Sequence, residues 1–164
     1  MTDDFMMKNT GCLSKETCQF LINFFNENEN ISSAGGTEVD KNGNIVCKLD
    51  DLEIEINIFN FNDELREGIF TTISKYVEKY PLTDTAICNW QVDDYAFLMR
   101  YEPGKSYNSI HCENGGIYHS KRIFAWMIYL NTIKDGGGTE FIHQNKILSP
   151  TEGDMYIWPA HWTH

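Results

Sequence analysis

The sequence predicts an α+β, mainly β, architecture in which two N-terminal helices pack outside a largely antiparallel sheet that curls into a sandwich or barrel. Three observations carry this. Apolar residues recur at helical spacing in only two stretches, both before Pro81. Beyond Pro81 the chain breaks into short alternating or apolar runs separated by turn signals. No composition break, low-complexity tract or repeat divides the 164 residues, so residues 1–164 read as one domain with one core. A chain of this length buries roughly 70% of the surface exposed when unfolded.

Ser14 is placed to cap the first helix, whose Cys18, Leu21, Ile22 and Phe25 share a face before the polar NENEN stretch at 26–30. The DKNGN cluster predicts a hairpin between Thr37-Glu38-Val39 and Ile45-Val46-Cys47. Leu52, Ile54, Ile56 and Ile58 alternate with Glu53, Glu55 and Asn57, the pattern of a half-buried strand. Over 63–80 the period changes, and Leu65, Ile69, Ile73, Val77 and Tyr80 line one face of a second helix. Five strands then follow, around Asn89–Val92, Tyr95–Tyr101, Ile123–Leu130, Thr139–His143 and Asp154–Trp158, with EPGK, KDGGG and SPTEG as turns. Gly136 to Gly138 read as a tight turn, since neither a helix start nor a lysine follows to make a phosphate loop.

Composition excludes several classes of function. A net charge of −11 with no local basic patch argues against nucleic acid, which is bound through Lys and Arg on phosphates. No apolar run approaches the ~20 residues of a bilayer span, and MTDDFMMKNT carries acid where a signal peptide carries base; no membrane partner and a cytoplasmic location are expected. Five cysteines without a C-x-x-C fit reduced thiols better than a disulfide framework or a zinc knuckle.

In SIHCEN, extended backbone sends His111 and Glu113 from one face and Cys112 from the other. A histidine and a carboxylate so placed, joined by a second histidine from a distant strand, make the facial triad that holds non-haem Fe(II) with three positions open. His164 is the natural third donor. A His-x-Glu spacing standing alone is more often a surface polar pair, and a terminal histidine ordinarily frays.

The runs YEPGKSYNSIHCEN, RIFAWMIYLN, DGGGTEF and SPTEGDMYIWPAHWTH, in that order over residues 95–164, resemble the prolyl-4-hydroxylase-like branch of the 2-oxoglutarate/Fe(II)-dependent dioxygenases. LSKETCQFLINFF resembles that branch's leading helix. The resemblance implies a double-stranded β-helix, or jelly roll, with Fe(II) in its mouth. It implies 2-oxoglutarate as cosubstrate, ascorbate as an accessory reductant, and hydroxylation of a C–H bond in a peptide or small molecule. It assigns His111, Glu113 and His164 as iron ligands, His164 being preferred to His161 by aligning Trp158-Pro159 with the family's Phe-Pro. Tyr101 and Tyr129 match its cosubstrate-contacting tyrosines, though either also reads as an ordinary core tyrosine.

Two departures accompany the match. Glu113 stands where most members have Asp. The family also places an Arg or Lys about ten residues past its distal histidine to pair with the far carboxylate of 2-oxoglutarate, and the sequence ends at His164. The expectation is a domain cut short after that histidine, or a product of weak activity. Strand alternation is expected to send Arg122 to the face opposite Tyr129 and a turn to hold Lys146, so neither is expected to replace the anchor. A metal enzyme of cupin type is disfavoured because H-x-H is lacking. A jelly-roll binding module without catalysis remains the non-enzymatic alternative.

Overall fold

The first helix begins where Ser14 predicts, and one carboxylate ties its start to that of the second. A computed structural model describes residues 3–39, 42–48, 50–86, 89–107 and 109–164; of 37–39 and 45–48 it describes the backbone. Helix α1 (Lys15–Glu27) is capped by Ser14, whose Oγ accepts from Thr17 N at 3.2 Å. Helix α2 (Asp63–Lys79) is capped by Asn62, whose Oδ1 accepts from Leu65 N at 2.8 Å. From the first turn of α2, Glu64 accepts from Ser14 N at 2.5 Å, from Ser14 Oγ at 3.0 Å and from Thr17 Oγ1. A carboxylate at two helix N-termini satisfies orphan donors and suits both dipoles. A single turn, α3 (Leu82–Thr85), follows α2.

The strands are short. In chain order they are β1 (Met7–Asn9), β2 (Ser33–Ala34), β3 (Thr37–Val39), β4 (Ile45–Lys48), β5 (Asp51–Asn57), β6 (Tyr95–Tyr101), β7 (Phe124–Ile128), β8 (Thr139–Phe141), β9 (Lys146–Leu148) and β10 (Met155–Pro159). All pairing among them is antiparallel, in four sheets: β1-β10-β7, β2-β5-β6, and the hairpins β3-β4 and β8-β9. The described strands do not close into a barrel, so the molecule is a mixed α/β structure of several antiparallel sheets.

One expected strand is not formed. Asn89–Val92 is irregular, because Trp90 and Val92 reach the core from loop backbone while Trp90 Nε1 donates to Thr83 O at 3.0 Å. The alternation there reports burial without a strand partner. β1, β2 and β9 were not expected; two or three residues leave no readable period.

Two cores organise the sheets. The larger lies between the helices and both three-stranded sheets, joining Leu21, Phe25, Leu65, Ile69 and Tyr76 to Ile54, Ile56, Leu98, Met155 and Ile157. The smaller lies on the other side of β10 and β7, where Tyr156, Trp158 and Met127 meet Phe141 of β8 and Leu148 of β9. β10 is therefore covered on both faces, and its residues 155–158 are all buried. Gly153 admits the chain to it. Its φ is +79°, and a Cβ there would stand 2.4 Å from Leu13 O, beside the bond Leu13 N donates to Gly153 O at 3.1 Å. Buried Asp154 then accepts from Gly11 N at 2.9 Å and pairs with Lys8 Nζ at 2.6 Å, fixing β1 on β10. Cys12, Cys18 and Cys112 are free thiols, and burial pushes the Cys18 thiol up to about 11. Among the described residues no helix is long and apolar enough to cross a membrane.

Candidate active site

The His-x-Glu segment lies in a loop between β6 and β7, not on the strand its parity suggested. A turn brings the two side chains together instead: Gly115 N donates to Cys112 O at 3.1 Å, and His111 Nε2 lies 3.5 Å from Glu113 Oε1. The loop is pinned to the end of β10, because Asn114 N donates to Ala160 O at 3.0 Å and Asn114 Nδ2 donates to His161 Nδ1 at 2.7 Å.

His111 is oriented from two sides. Its ring stacks on Tyr107 with centroids 4.1 Å apart, and Nδ1–H donates to Ser109 O at 2.9 Å. That bond gives the neutral ring an Nε2 lone pair turned to the carboxylate. Two acceptors at 3.5 Å repel unless a proton or a cation lies between them, and a backbone carbonyl on Nδ1–H is the support a metal-binding imidazole ordinarily has. In the doubly protonated ring Nε2–H instead donates to Glu113, and this bond, against the cost of burial and with the charges of His111, Arg122 and His119 adding, holds the Glu113 carboxyl below the usual carboxylate range. Glu113 is thus an anion at neutral pH, with Arg122 Nη1 at 3.4 Å from Oε2.

The chemistry of this pair fits two protein positions of a facial triad. The third is not assembled. His164 Nε2 donates to Asp4 O at 2.7 Å, and its Nδ1 lies 2.9 Å from Thr163 Oγ1. Among the described residues no three His, Cys, Asp or Glu side chains group closely enough to hold a metal ion.

Tyr101 ends β6 on the sheet face turned away from the helices. Burial pushes its phenol up, and the charges of Asp51, Glu53 and Glu113 push the same way. Tyr129 follows β7 directly and faces the smaller core; its hydroxyl is 3.0 Å from Thr139 Oγ1, and burial raises it also. Both tyrosines stand on the helix-free side of their sheets.

Arg122 and Lys146 are placed differently from expectation. Strand alternation does not reach Arg122, because β7 begins at Phe124, and the free turn before it lets the guanidinium meet Glu113. Lys146 opens β9 and pairs with Asp4 Oδ2 at 2.9 Å. Asn114, Tyr107 and Asp4 also position the site and were not singled out from the sequence. For Asn114 a signal existed, since it directly follows the motif and is a turn former.

No protein-family model matches the chain, nor does any curated protein. Solved structures do. The viral collagen prolyl hydroxylase of Paramecium Bursaria Chlorella virus-1, solved as its 2OG complex, has a TM-score of 0.64 at 18% identity over 94% of this chain and 77% of its own. A Pseudomonas putida prolyl-4-hydroxylase has a TM-score of 0.63 at 13% identity over 96% and 80%. The fold of this chain is that of the prolyl hydroxylases, the same branch that residues 95–164 resemble.

Proposed function

We propose that this chain, having the prolyl hydroxylase fold, is an Fe(II)- and 2-oxoglutarate-dependent oxygenase that hydroxylates a C–H bond of a peptidyl or small-molecule substrate, in a single domain of jelly-roll type. The observation that carries the reading is the His111–Glu113 pair, an oriented imidazole facing an ionised carboxylate at 3.5 Å in the loop after Tyr101. When bound, Fe(II) would activate dioxygen, the oxidant, with 2-oxoglutarate as the two-electron co-reductant that leaves as succinate and CO2, one oxygen atom going to succinate and one to the substrate C–H. His111 and Glu113 hold two metal positions, and Arg122 keeps Glu113 charged and aimed. His164 is the third ligand once its imidazole leaves the Asp4 carbonyl. Tyr101 and Tyr129 line the cosubstrate side, donating hydroxyl protons to carboxylate oxygens, and the apolar residues between the sheets exclude water.

One contact favours a second assignment of the third ligand: His161 Nδ1 already touches the residue after Glu113, at 2.7 Å. A binding module without redox chemistry is the other reading, favoured by the lack of three grouped donors among the described residues. The test is anaerobic titration of the protein with Fe(II) and 2-oxoglutarate. A visible charge-transfer band is expected, lost in His111→Ala and Glu113→Ala. Loss in His164→Ala with retention in His161→Ala selects His164, and the converse selects His161. No band in the unmodified chain overturns the oxygenase reading in favour of the binding module. Succinate release under air then reports turnover.

A further inference from the structure

Asn114, the residue after Glu113, has its backbone N–H and both ends of its side-chain amide engaged. Its N–H donates to Ala160 O at 3.0 Å. Ala160 is buried, and its own N–H donates to Ile123 O at 2.9 Å, so Asn114 grips a fixed point at the end of β10. On the side chain, Cys112 Sγ donates to Oδ1 at 3.5 Å while Nδ2 donates to His161 Nδ1 at 2.7 Å. Gly115 N closes the same turn on Cys112 O at 3.1 Å, which keeps the thiol beside the amide.

The bond to His161 fixes a tautomer. An amide N–H needs a lone pair to receive it, so the neutral ring of His161 is bare at Nδ1 and carries its proton on Nε2. The thiol keeps the amide in this sense: turned over, the amide would exchange an S–H···O bond for a weak N–H···S contact. A metal-binding imidazole has the opposite polarity, its second nitrogen donating to an acceptor, as His111 Nδ1–H does to Ser109 O at 2.9 Å. The two histidines at this corner therefore differ in kind. His111 offers a lone pair at Nε2, and His161 offers a proton there.

We infer that Asn114 is a positioning residue that fixes His161 as an Nε2–H donor and thereby keeps it out of the third metal position, leaving that position to His164. Proximity favours His161 as a ligand, but the polarity of its one bond to the loop opposes it. The metal half of the inference rests on the proposed function; the tautomer half does not.

The test has two arms. Long-range 1H–15N correlation of the metal-free, 15N-labelled protein at about pH 8, above the ordinary imidazole range, reads the tautomer, with His161 identified by its loss in His161→Gln. A bare Nδ1 and a protonated Nε2 are expected in the unmodified chain, and a proton on Nδ1 in Asn114→Asp, with circular dichroism unchanged. Nδ1–H in the unmodified chain, or a tautomer unmoved in Asn114→Asp, overturns the inference. The second arm follows the anaerobic charge-transfer band with Fe(II) and 2-oxoglutarate. Adding Asn114→Asp to His164→Ala gives His161 the acceptor it lacks, so a band is expected to return with metal affinity about ten- to a hundredfold above that of His164→Ala alone. His161→Ala on that background is expected to abolish the gain. No gain, or a gain that survives His161→Ala and so comes from the added charge, overturns the inference. With no band in the unmodified chain the oxygenase reading fails, while the tautomer arm still upholds or overturns this one.

Discussion

The two faces of the three-stranded sheets differ in what holds them. On the helix side, Ile54, Ile56, Leu98, Met155 and Ile157 meet α1 and α2 in a core whose central residues are fully enclosed. On the other side, Phe97, Met99 and Tyr101 of β6 are open to water, and His111 and Glu113 hang from a loop held by a few hydrogen bonds. Stability resides on the first face and polar chemistry on the second. Groups that are to meet a ligand keep unsatisfied valence, which a packed interior does not tolerate.

The largest expected effect breaks the helix side. Ile69→Ala, at a fully enclosed position, costs about 2–5 kcal/mol in urea unfolding, whereas Phe97→Ala on the open face stays within about 0.5 kcal/mol. Equal losses remove the distinction. Next comes Gly153→Ala, which meets both a positive φ and the Leu13 carbonyl; a loss of about 1–3 kcal/mol is expected in the same assay.

Glu64→Gln sharpens the contrast through pH. The hydrogen bond from Thr17 Oγ1, then that from Ser14 N, holds this carboxyl below its ordinary range. A depressed carboxylate stabilises the fold fully above its unfolded pKa of about 4.3, and the contribution is lost as pH falls through the lower folded value. The expected cost of the substitution is about 1–2 kcal/mol at pH 7, shrinking toward zero in acid unfolding titrations below about pH 4. At the site the stability effect is also small: Glu113→Gln changes unfolding by under about 1 kcal/mol, because its partners Arg122 and His111 are partly solvated, yet abolishes the charge-transfer band.

The helix side was the more legible in sequence. Cys18, Leu21 and Phe25, and Leu65, Ile69 and Ile73, are buried as their spacing predicts, and Tyr95–Tyr101 has the bounds read from alternation. Periodicity records burial, so it fails where burial and backbone pairing part company, as at Trp90 and Val92. The site was legible in part. The spacing of His111 and Glu113 marked them as a pair, although a turn and not a strand joins them. The contacts of Arg122, Asn114 and His164 depend on where short strands stop and how loops fold back, which two-residue periodicity does not encode.

The larger core spans two sheets that no backbone ladder joins among the described residues, since β6 and β7 belong to different sheets. Among the described residues, side-chain packing against α1 and α2 spans the two sheets. Packing against the helices seats both sheets on one apolar cushion. Amide exchange is expected to be slow in the ladders of β5 and β10, the central strand of each sheet, because that cushion covers them.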